Sequence, residues 1–213
     1  CKIDSTITSY HLGYVIGPRI NAGGRVGKAS HGADLLINEN PKQIFKIASE
    51  LNTFNSQRQD LEKDLYDKVL KKVKLKSNKP ALILVGENWH DGVIGIVASK
   101  IKEKFNKPTI LISLNDEIGK GSARSILGFD IGAKIISGVQ QNLLIKGGGH
   151  KMAGGFTIDR NKIDDFENFI INHFTKSNLN LNIKKDLYID SEIIPSAIDN
   201  NFYNSVDLLG PFG

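Results

Sequence analysis

Apolar residues recur at a helical period through the segment 41–76. Spacings of three, four and seven residues would align them along one face of a helix. They are Ile44, Ile47, Ala48, Leu51, Phe54, Leu61, Leu65, Val69 and Val73. Pro41 suits the start of a helix, and Arg58 interrupts the apolar face. The pattern predicts one long helix, or two in line, in which Arg58 faces a cleft or pairs with an acidic residue.

Short apolar runs replace this pattern after residue 80. Runs at 81–86 and 108–114 have the length of buried strands, and a helical pattern over 92–105 lies between them. Strand, helix and strand at this spacing predict a parallel βαβ unit. We further expect strands over 119–126 and 154–158, helices over 130–141 and 162–176, and a loop over 146–150. The fold class predicted is α/β, with a mixed or parallel sheet flanked by helices.

The two ends of the sequence show weaker patterns. Glycines in 17–25 favour an irregular segment, and a short helix is expected over 30–37. A polar stretch, 177–185, is typical of a linker, and alternation over 187–194 predicts a strand. Since residue 1 is cysteine and the only methionine is Met152, we expect the sequence to be a fragment.

Composition excludes several classes of protein. Hydrophobic residues make up 40% and charged residues 24% of the 213 positions, which disfavours disorder and collagen. The longest apolar runs are far shorter than a membrane-spanning helix requires. The single Cys1 allows no internal disulfide, so a cytoplasmic location is expected. The net charge, 28 − 23 = +5, is compatible with a polyanionic partner.

Arginine is scarce and unevenly placed. The chain has 23 lysines but five arginines, and Arg19, Arg25 and Arg124 lie in glycine-rich segments. A guanidinium fork suits phosphate, and glycine lets backbone approach a ligand closely. The arrangement indicates phosphate recognition, with surface charges on turns as the alternative.

Ser122 and Arg124 lie two residues apart in a predicted strand. Side chains alternate along a strand, so both would point to one face and could hold a phosphate together. The alternative is a plain edge strand without a ligand.

Three glycines precede His150. Gly147, Gly148 and Gly149 would expose backbone N–H groups to an anion, and the histidine could donate to a phosphate oxygen. The alternative is a structural histidine. The five histidines are scattered without metal-ligand spacing, so no metal site is predicted in this sequence.

The segment Trp89–Ala98 lies at a predicted strand-to-helix turn. Turns of this kind attract anions, because the helix N-terminus carries unpaired N–H groups. Alternatively, Asp91 is the N-cap and Trp89 is a packing residue.

Five ordered motifs resemble the C-terminal half of the RecJ family of single-strand-specific 5′-to-3′ DNA exonucleases, within the DHH phosphoesterase superfamily. They are Gly-Pro-Arg-Ile-Asn-Ala at 17–22 with Gly24-Arg25; Leu51-Asn52, Asn55 and Arg58-Gln59; Trp89-His90 with 92–99; Gly121-Ser122, Arg124-Ser125 and 128–130; and Gly-Gly-Gly-His at 147–150 with Met152-Ala153.

The resemblance implies a domain order. Residues 1–40 would be the tail of a DHH domain, 41–76 a connector helix, and 77–177 a DHH-associated substrate-binding domain. Residues 178–213 would be a linker and the start of an OB-fold domain, which the closing Gly-Pro-Phe-Gly resembles.

The resemblance also implies roles for individual residues. Ser122 and Arg124, with Arg25 or Arg19 across a cleft, would grip the DNA 5′ end. Gly148, Gly149 and the catalytic His150 would hold the phosphodiester. Two Mn²⁺ or Mg²⁺ ions would be bound by motifs absent from this sequence, so the chain alone is expected to be inactive.

Partners and alternatives follow from the same resemblance. A single strand with a 5′ end is the expected substrate in repair and recombination, with single-strand-binding protein and a helicase as possible partners. A monomer without membrane association is expected. The alternatives are a DHH-family phosphodiesterase of short oligonucleotides or cyclic dinucleotides, and a non-catalytic nucleic-acid-binding module.

Overall fold

The first part of the chain is helical. The structure, a computed structural model, describes residues 3–4, 6–76, 78–177 and 189–210. A π-helical segment, His11–Ile16, leads into α1 (Gly17–Val26), which is followed by α2 (His31–Ile37) and α3 (Pro41–Lys76). The predicted helix over 41–76 is confirmed as one uninterrupted helix, and the short helix near 30–37 is confirmed as well.

The expectation of an irregular segment over 17–25 is wrong. Pro18 lies near the start of α1, which directly continues the π-helical segment His11–Ile16. A methyl group at Gly23 would lie 2.7 Å from the Lys28 carbonyl oxygen and 3.2 Å from the Leu51 side chain. Gly23 is therefore needed for the close approach of α1 to α3 and does not interrupt the helix.

The second part of the chain forms a five-stranded mixed sheet. Its strands are β1 (Leu82–Glu87), β2 (Thr109–Asn115), β3 (Ile118–Arg124), β4 (Lys146–His150) and β5 (Ala153–Asp159), in the order β1-β2-β3-β5-β4. β1 and β2 are parallel, joined by α4 (Asp91–Phe105), and the other pairs are antiparallel. The βαβ unit and the α/β class are confirmed.

The predicted loop over 146–150 is wrong, because these residues are β4. Their pairing with β5, for example Gly148 opposite Gly155, builds a hairpin closed by Lys151 and Met152. Glycine has low strand propensity, but a methyl group at Gly147 would lie 2.7 Å from Ile135 and 2.8 Å from Phe156 Cβ. Close packing on the sheet's inner face therefore explains one of the three glycines.

Helices cover the sheet on both sides. Side chains that alternate along β1 and β2, such as Leu84 and Leu111, pack against α3 and α4. The opposite face packs against α5 (Ile131–Gln140) and α6 (Ile163–Lys176), through residues that include Ile112 and Phe166. Each face of the sheet thus has its own apolar core.

The predicted strand over 187–194 is wrong where the structure describes it. Residues 189–194 contain no strand, and 187–188 lie outside the described residues. A strand needs a partner, and 189–194 pair with none of the described strands. The last helix is α7 (Asn200–Asp207). Most of the predicted linker and residues 211–213 also lie outside the described part.

Among the helices of the described part, none is both long and apolar enough to cross a membrane.

Candidate nucleic-acid interface

Ser122 and Arg124 lie on β3, the central strand of the sheet, and point toward α4. The edge-strand alternative is therefore wrong, whereas the common face predicted from their spacing is found. Room for both side chains comes from Gly95 of α4. A methyl group there would lie 2.8 Å from Arg124 Nη2 and 2.9 Å from Ser122 Oγ.

The half-buried Arg124 guanidinium is held by neutral oxygen atoms. Nε donates to Ser99 Oγ at 3.1 Å, and Nη1 donates to Ser122 Oγ at 3.2 Å and to the Ala123 carbonyl at 2.8 Å. No carboxylate pairs with Arg124 within the described ranges. Its charge is therefore positioned by the protein without being neutralised.

Arg25 brings a second guanidinium to the same place. It lies at the end of α1 and donates from Nη1 to the Gly92 carbonyl at 3.0 Å, where α1 touches the first turn of α4. Burial lowers the pKa of Arg124, and the positive charge of Arg25 lowers it further. Two like charges held together favour an anionic ligand.

Arg19 has a different role from Arg25. Its Nε donates to Asn52 Oδ1 of α3 at 3.0 Å, and Nη1 donates to the Val15 carbonyl at 2.6 Å. The first of these bonds holds α1 against α3. The structure therefore places Arg25, and not Arg19, beside Arg124.

The predicted glycine and histidine ligands are divided between two faces of β4. Gly148 and His150 alternate onto the face that carries Ser122, because Ser122 is opposite Gly155 and Gly155 is opposite Gly148. A methyl group at Gly148 would meet no atom within 4 Å. Gly149 points to the other side, so only its backbone could serve a ligand on this face.

We call this surface the open face. It comprises, on the Ser122 side of the sheet, the residues Lys146, Gly148 and His150 of β4 and Gly155 and Thr157 of β5. A cavity of about 500 Å³ lies over part of it, and is lined by Lys146, Gly155 and Thr157 of the open face together with Ser122, Lys120 and Asp91. Of the predicted phosphate ligands, Ser122 lines this cavity, and Arg124, Gly148 and His150 lie on the same side of the sheet.

The turn before α4 makes structural contacts and also lines a cavity of about 580 Å³. His90, and not Asp91, is the N-cap: its Nδ1 accepts from Gly92 N at 3.1 Å. Asp91 instead pairs with Lys120 at 2.7 Å. Trp89 packs over Gly86, which supports the packing interpretation of this residue.

Sequence reasoning gave no role to Gly95, Ser99 or Gly155. Gly95 and Ser99 are four residues apart, which places them on one face of α4. That spacing was visible in the sequence, but their partner Arg124 lies 25 residues further on. Only the packing of α4 on β3 connects them.

A divalent metal site does not fit the described residues. No three His, Cys, Asp or Glu side chains converge anywhere in the described ranges. Mn²⁺ and Mg²⁺ prefer sites with several oxygen ligands. The part of the chain that the structure describes therefore supplies no group of side chains suited to these ions.

These features agree with comparisons with known proteins. The DHHA1 domain family model matches residues 78–176. The chain is also a relative of the single-stranded-DNA-specific exonuclease RecJ. It is 35% identical to RecJ of Salmonella typhimurium over 164 residues and 37% identical to RecJ of Haemophilus influenzae over 172 residues.

Solved structures of RecJ are also similar to this chain. RecJ from Thermus thermophilus in complex with Mg²⁺ is 29% identical, with a TM-score of 0.72 over 82% of this chain. A structure of exonuclease RecJ bound to manganese gives a TM-score of 0.66 over 78% of this chain, also at 29% identity.

The likeness covers only part of those proteins. The matches take in 73% and 75% of this chain but 28% and 29% of the Salmonella and Haemophilus relatives. They cover 27% and 41% of the two solved chains. This chain therefore corresponds to a part of RecJ that includes the DHHA1 domain.

Proposed function

We propose that this chain is the DNA-binding part of a RecJ-type single-strand-specific 5′-to-3′ exonuclease acting in repair and recombination. Ser122, Arg124 and Arg25 bind the 5′-terminal phosphate of the strand. The observation that carries the proposal is the pair of guanidinium groups, Arg124 and Arg25, held together without a carboxylate.

An anion bound between Arg124 and Arg25 would reduce the repulsion between their positive charges. Arg124 has lost part of its hydration and is further opposed by Arg25. A terminal phosphate carries more charge than an internal phosphodiester and has one more free oxygen atom, so it can accept from both guanidinium forks and from Ser122. The site would therefore prefer a 5′-phosphate end over a 5′-hydroxyl end.

The next phosphodiester would lie over Gly148 and the backbone of Gly149, within reach of His150. In this proposal His150 is the catalytic residue of the chain, donating a hydrogen bond to a phosphate oxygen. RecJ structures have been solved with Mg²⁺ and with manganese, and such ions would neutralise charge on the phosphate during hydrolysis. The described residues supply no group of ligands for such ions.

The proposal includes the domain order. Residues 1–40 complete a DHH domain, 41–76 connect it, 77–177 bind DNA, and 178–213 lead to an OB fold. A protein of these 213 residues alone would have no exonuclease activity. A monomeric state, a cytoplasmic location, and single-strand-binding protein and a helicase as partners belong to the same proposal, since such an enzyme needs exposed single strands.

The test compares two ends of the same oligonucleotide. Arg124→Ala should weaken binding of a 5′-phosphorylated single strand by about 1.5 to 3 kcal/mol, the value of a hydrogen bond to a charged group. It should cost clearly less on the 5′-hydroxyl strand, and Ser122→Ala should show the same direction more weakly. Fluorescence anisotropy with a 3′-labelled strand measures both.

The matched control is Arg160→Ala. Arg160 pairs with Glu87 at 3.0 Å, so its charge is already balanced, and neither end should be affected. Equal losses on both ends for Arg124→Ala would reject recognition of the 5′ end and leave a general backbone contact.

A further inference from the structure

The open face extends beyond the residues assigned to the 5′ end and the next phosphodiester. The strand register gives three rows on the same side of the sheet. The first contains Arg124, Ala153 and His150, the second Ser122, Gly155 and Gly148, and the third Lys120, Thr157 and Lys146. The third row lies two residues further along the strands, roughly 7 Å away, and belongs to none of the sites described so far.

The third row is positively charged and accessible. Lys120 and Lys146 are both exposed, and both line the cavity of about 500 Å³ that also reaches Ser122. Among the residues the structure describes, Lys146 forms no ion pair. Lys120 pairs only with Asp91, whose side chain is itself 48% exposed. The one carboxylate in the cavity lining thus leaves a net positive charge.

The floor between these cations is unobstructed. A methyl group at Gly155 would meet one atom, the Gly121 carbonyl oxygen, at an ordinary 3.7 Å, and one at Gly148 would meet none. By contrast, a methyl group at Gly154 would press against Ile135. Packing of the domain therefore disfavours a side chain at 154 but not at 148 or 155, and the cavity above Gly155 has room for phosphates.

We propose that Lys146 and Lys120 bind internal phosphates of the strand whose 5′ end lies on Ser122 and Arg124. This inference rests on the proposed function and extends it. The chain would recognise a strand of several nucleotides, and not a mononucleotide or dinucleotide, because each further phosphate gains a cation along the open face. The positive charge of the third row complements the negative charge of a nucleic-acid strand, which identifies the strand as the ligand.

The experiment measures affinity of the 213-residue chain for thymidine strands of increasing length. The probes are 5′-phosphorylated dT8 with a 3′ label and unlabelled 5′-thymidylate and pdT2 as competitors, at several salt concentrations. Lys146→Ala should weaken dT8 binding about fivefold and reduce the salt slope by about 0.7, the value for one phosphate contact on a single strand. Its affinity for the mononucleotide should be unchanged.

Two further variants complete the design. Lys120→Ala should resemble Lys146→Ala, with a smaller loss because Asp91 already competes for its charge. Gly155→Val fits the extended backbone and should weaken dT8 binding by occupying the floor. The control is Lys68→Ala, since Lys68 is also exposed and also pairs with an aspartate at 2.7 Å, but lies on α3.

The outcomes separate this inference from the proposed function. If Arg124→Ala weakens every probe while Lys146→Ala and Gly155→Val behave like Lys68→Ala, the end site stands and the internal-phosphate contact is rejected. If Arg124→Ala changes nothing, the proposed function fails, and a loss with Lys146→Ala then shows backbone binding without an end site. An affinity that does not rise from the mononucleotide to dT8 also overturns the inference.

Discussion

Two arginines of this chain have lost much of their contact with water, in opposite electrostatic surroundings. Arg58, on the connector helix α3, has a side chain 12% exposed and pairs with the buried carboxylate of Glu62, which also binds Lys100. Arg124, on the central strand, binds hydroxyl and carbonyl oxygens and lies near Arg25. The prediction that Arg58 pairs with an acidic residue is confirmed.

The difference separates a structural cation from a cation available to a ligand. A buried charge is tolerated when it is paired and hydrogen-bonded. The protein supplies that partner to Arg58, through Glu62 and through Asn55 Oδ1 at 3.0 Å. For Arg124 the described residues supply only neutral dipoles, so under the proposed function a phosphate would supply the negative charge. Disrupting the Arg58 pair should therefore lower the stability of the fold, whereas disrupting the surroundings of Arg124 should weaken binding of the strand.

The largest effect is expected from Glu62→Gln. This change leaves Arg58 without a carboxylate in a site where its Nε already has no hydrogen-bond partner. Removing one partner of a buried ion pair costs about 3 kcal/mol or more. Urea unfolding should show this loss, while the preference for 5′-phosphorylated strands should remain in the folded variant.

Asp64→Asn is the control on the same helix. Asp64 pairs with Lys68 at 2.7 Å, but both side chains are more than half exposed, so the cost should be below about 0.5 kcal/mol. A loss for Glu62→Gln as small as that of the control would show that Arg58 is solvated well enough to need no partner.

The second prediction concerns a substitution that would give Arg124 a carboxylate partner within the protein, as Arg58 already has. Ser122→Asp would place a carboxylate next to Arg124 Nη1, where Ser122 Oγ now lies at 3.2 Å. The variant should remain folded but bind a 5′-phosphorylated strand at least tenfold more weakly than Ser122→Asn, a difference of about 1.4 kcal/mol. The internal carboxylate would occupy the guanidinium that the phosphate needs.

Anisotropy measurements on the two variants check this prediction, because asparagine has the size of aspartate without its charge. Equal affinities would mean that Arg124 is not a phosphate ligand. The comparison between the two arginines would then lose its functional meaning.

The success of sequence reasoning followed the strength of local patterns. The bounds of α3 were predictable because a long amphipathic period begins at a proline, and the common face of Ser122 and Arg124 followed from strand alternation. α1 and β4 were missed because glycine normally weakens both helices and strands. In α1, Gly23 instead allows contact with α3; in β4, pairing with β5 forms the strand despite its three glycines.

The site was less predictable than the fold for a related reason. Separate motifs pointed to phosphate, but the choice between Arg19 and Arg25 depends on which side of α1 faces α3. Ser99 and Gly95 act on Arg124 only through the packing of α4 on β3. Such relations join residues far apart in the chain, and no local pattern specifies them.

The smallest effect concerns a second buried carboxylate, Glu167 of α6, which pairs with Lys76 at 3.0 Å and Lys79 at 2.6 Å and links α6 to the end of α3. Burial by itself would raise the pKa of Glu167, but the hydrogen bonds and charges of Lys79 and Lys76 outweigh it and hold the pKa below its ordinary 4.5. Like Glu62, it belongs to the paired class, although its lysines are more exposed than Arg58.

The direction of the shift fixes the pH dependence. A carboxylate with a lowered pKa in the folded state stabilises the protein fully above about pH 4.5, and that stabilisation is lost as pH falls through the folded-state pKa. Glu167→Gln should therefore cost about 1 kcal/mol at pH 7, and the gap from wild type should close as the pH falls below 4.5. Urea unfolding between pH 7 and pH 3 measures this gap in stability.

Glu103→Gln is the control, because Glu103 is 59% exposed and 3.7 Å from Lys102, and its difference from wild type should be small at every pH. A gap for Glu167→Gln that stays constant down to pH 3 would show that Glu167 stabilises the fold by packing, and the paired class would then rest on Glu62 alone.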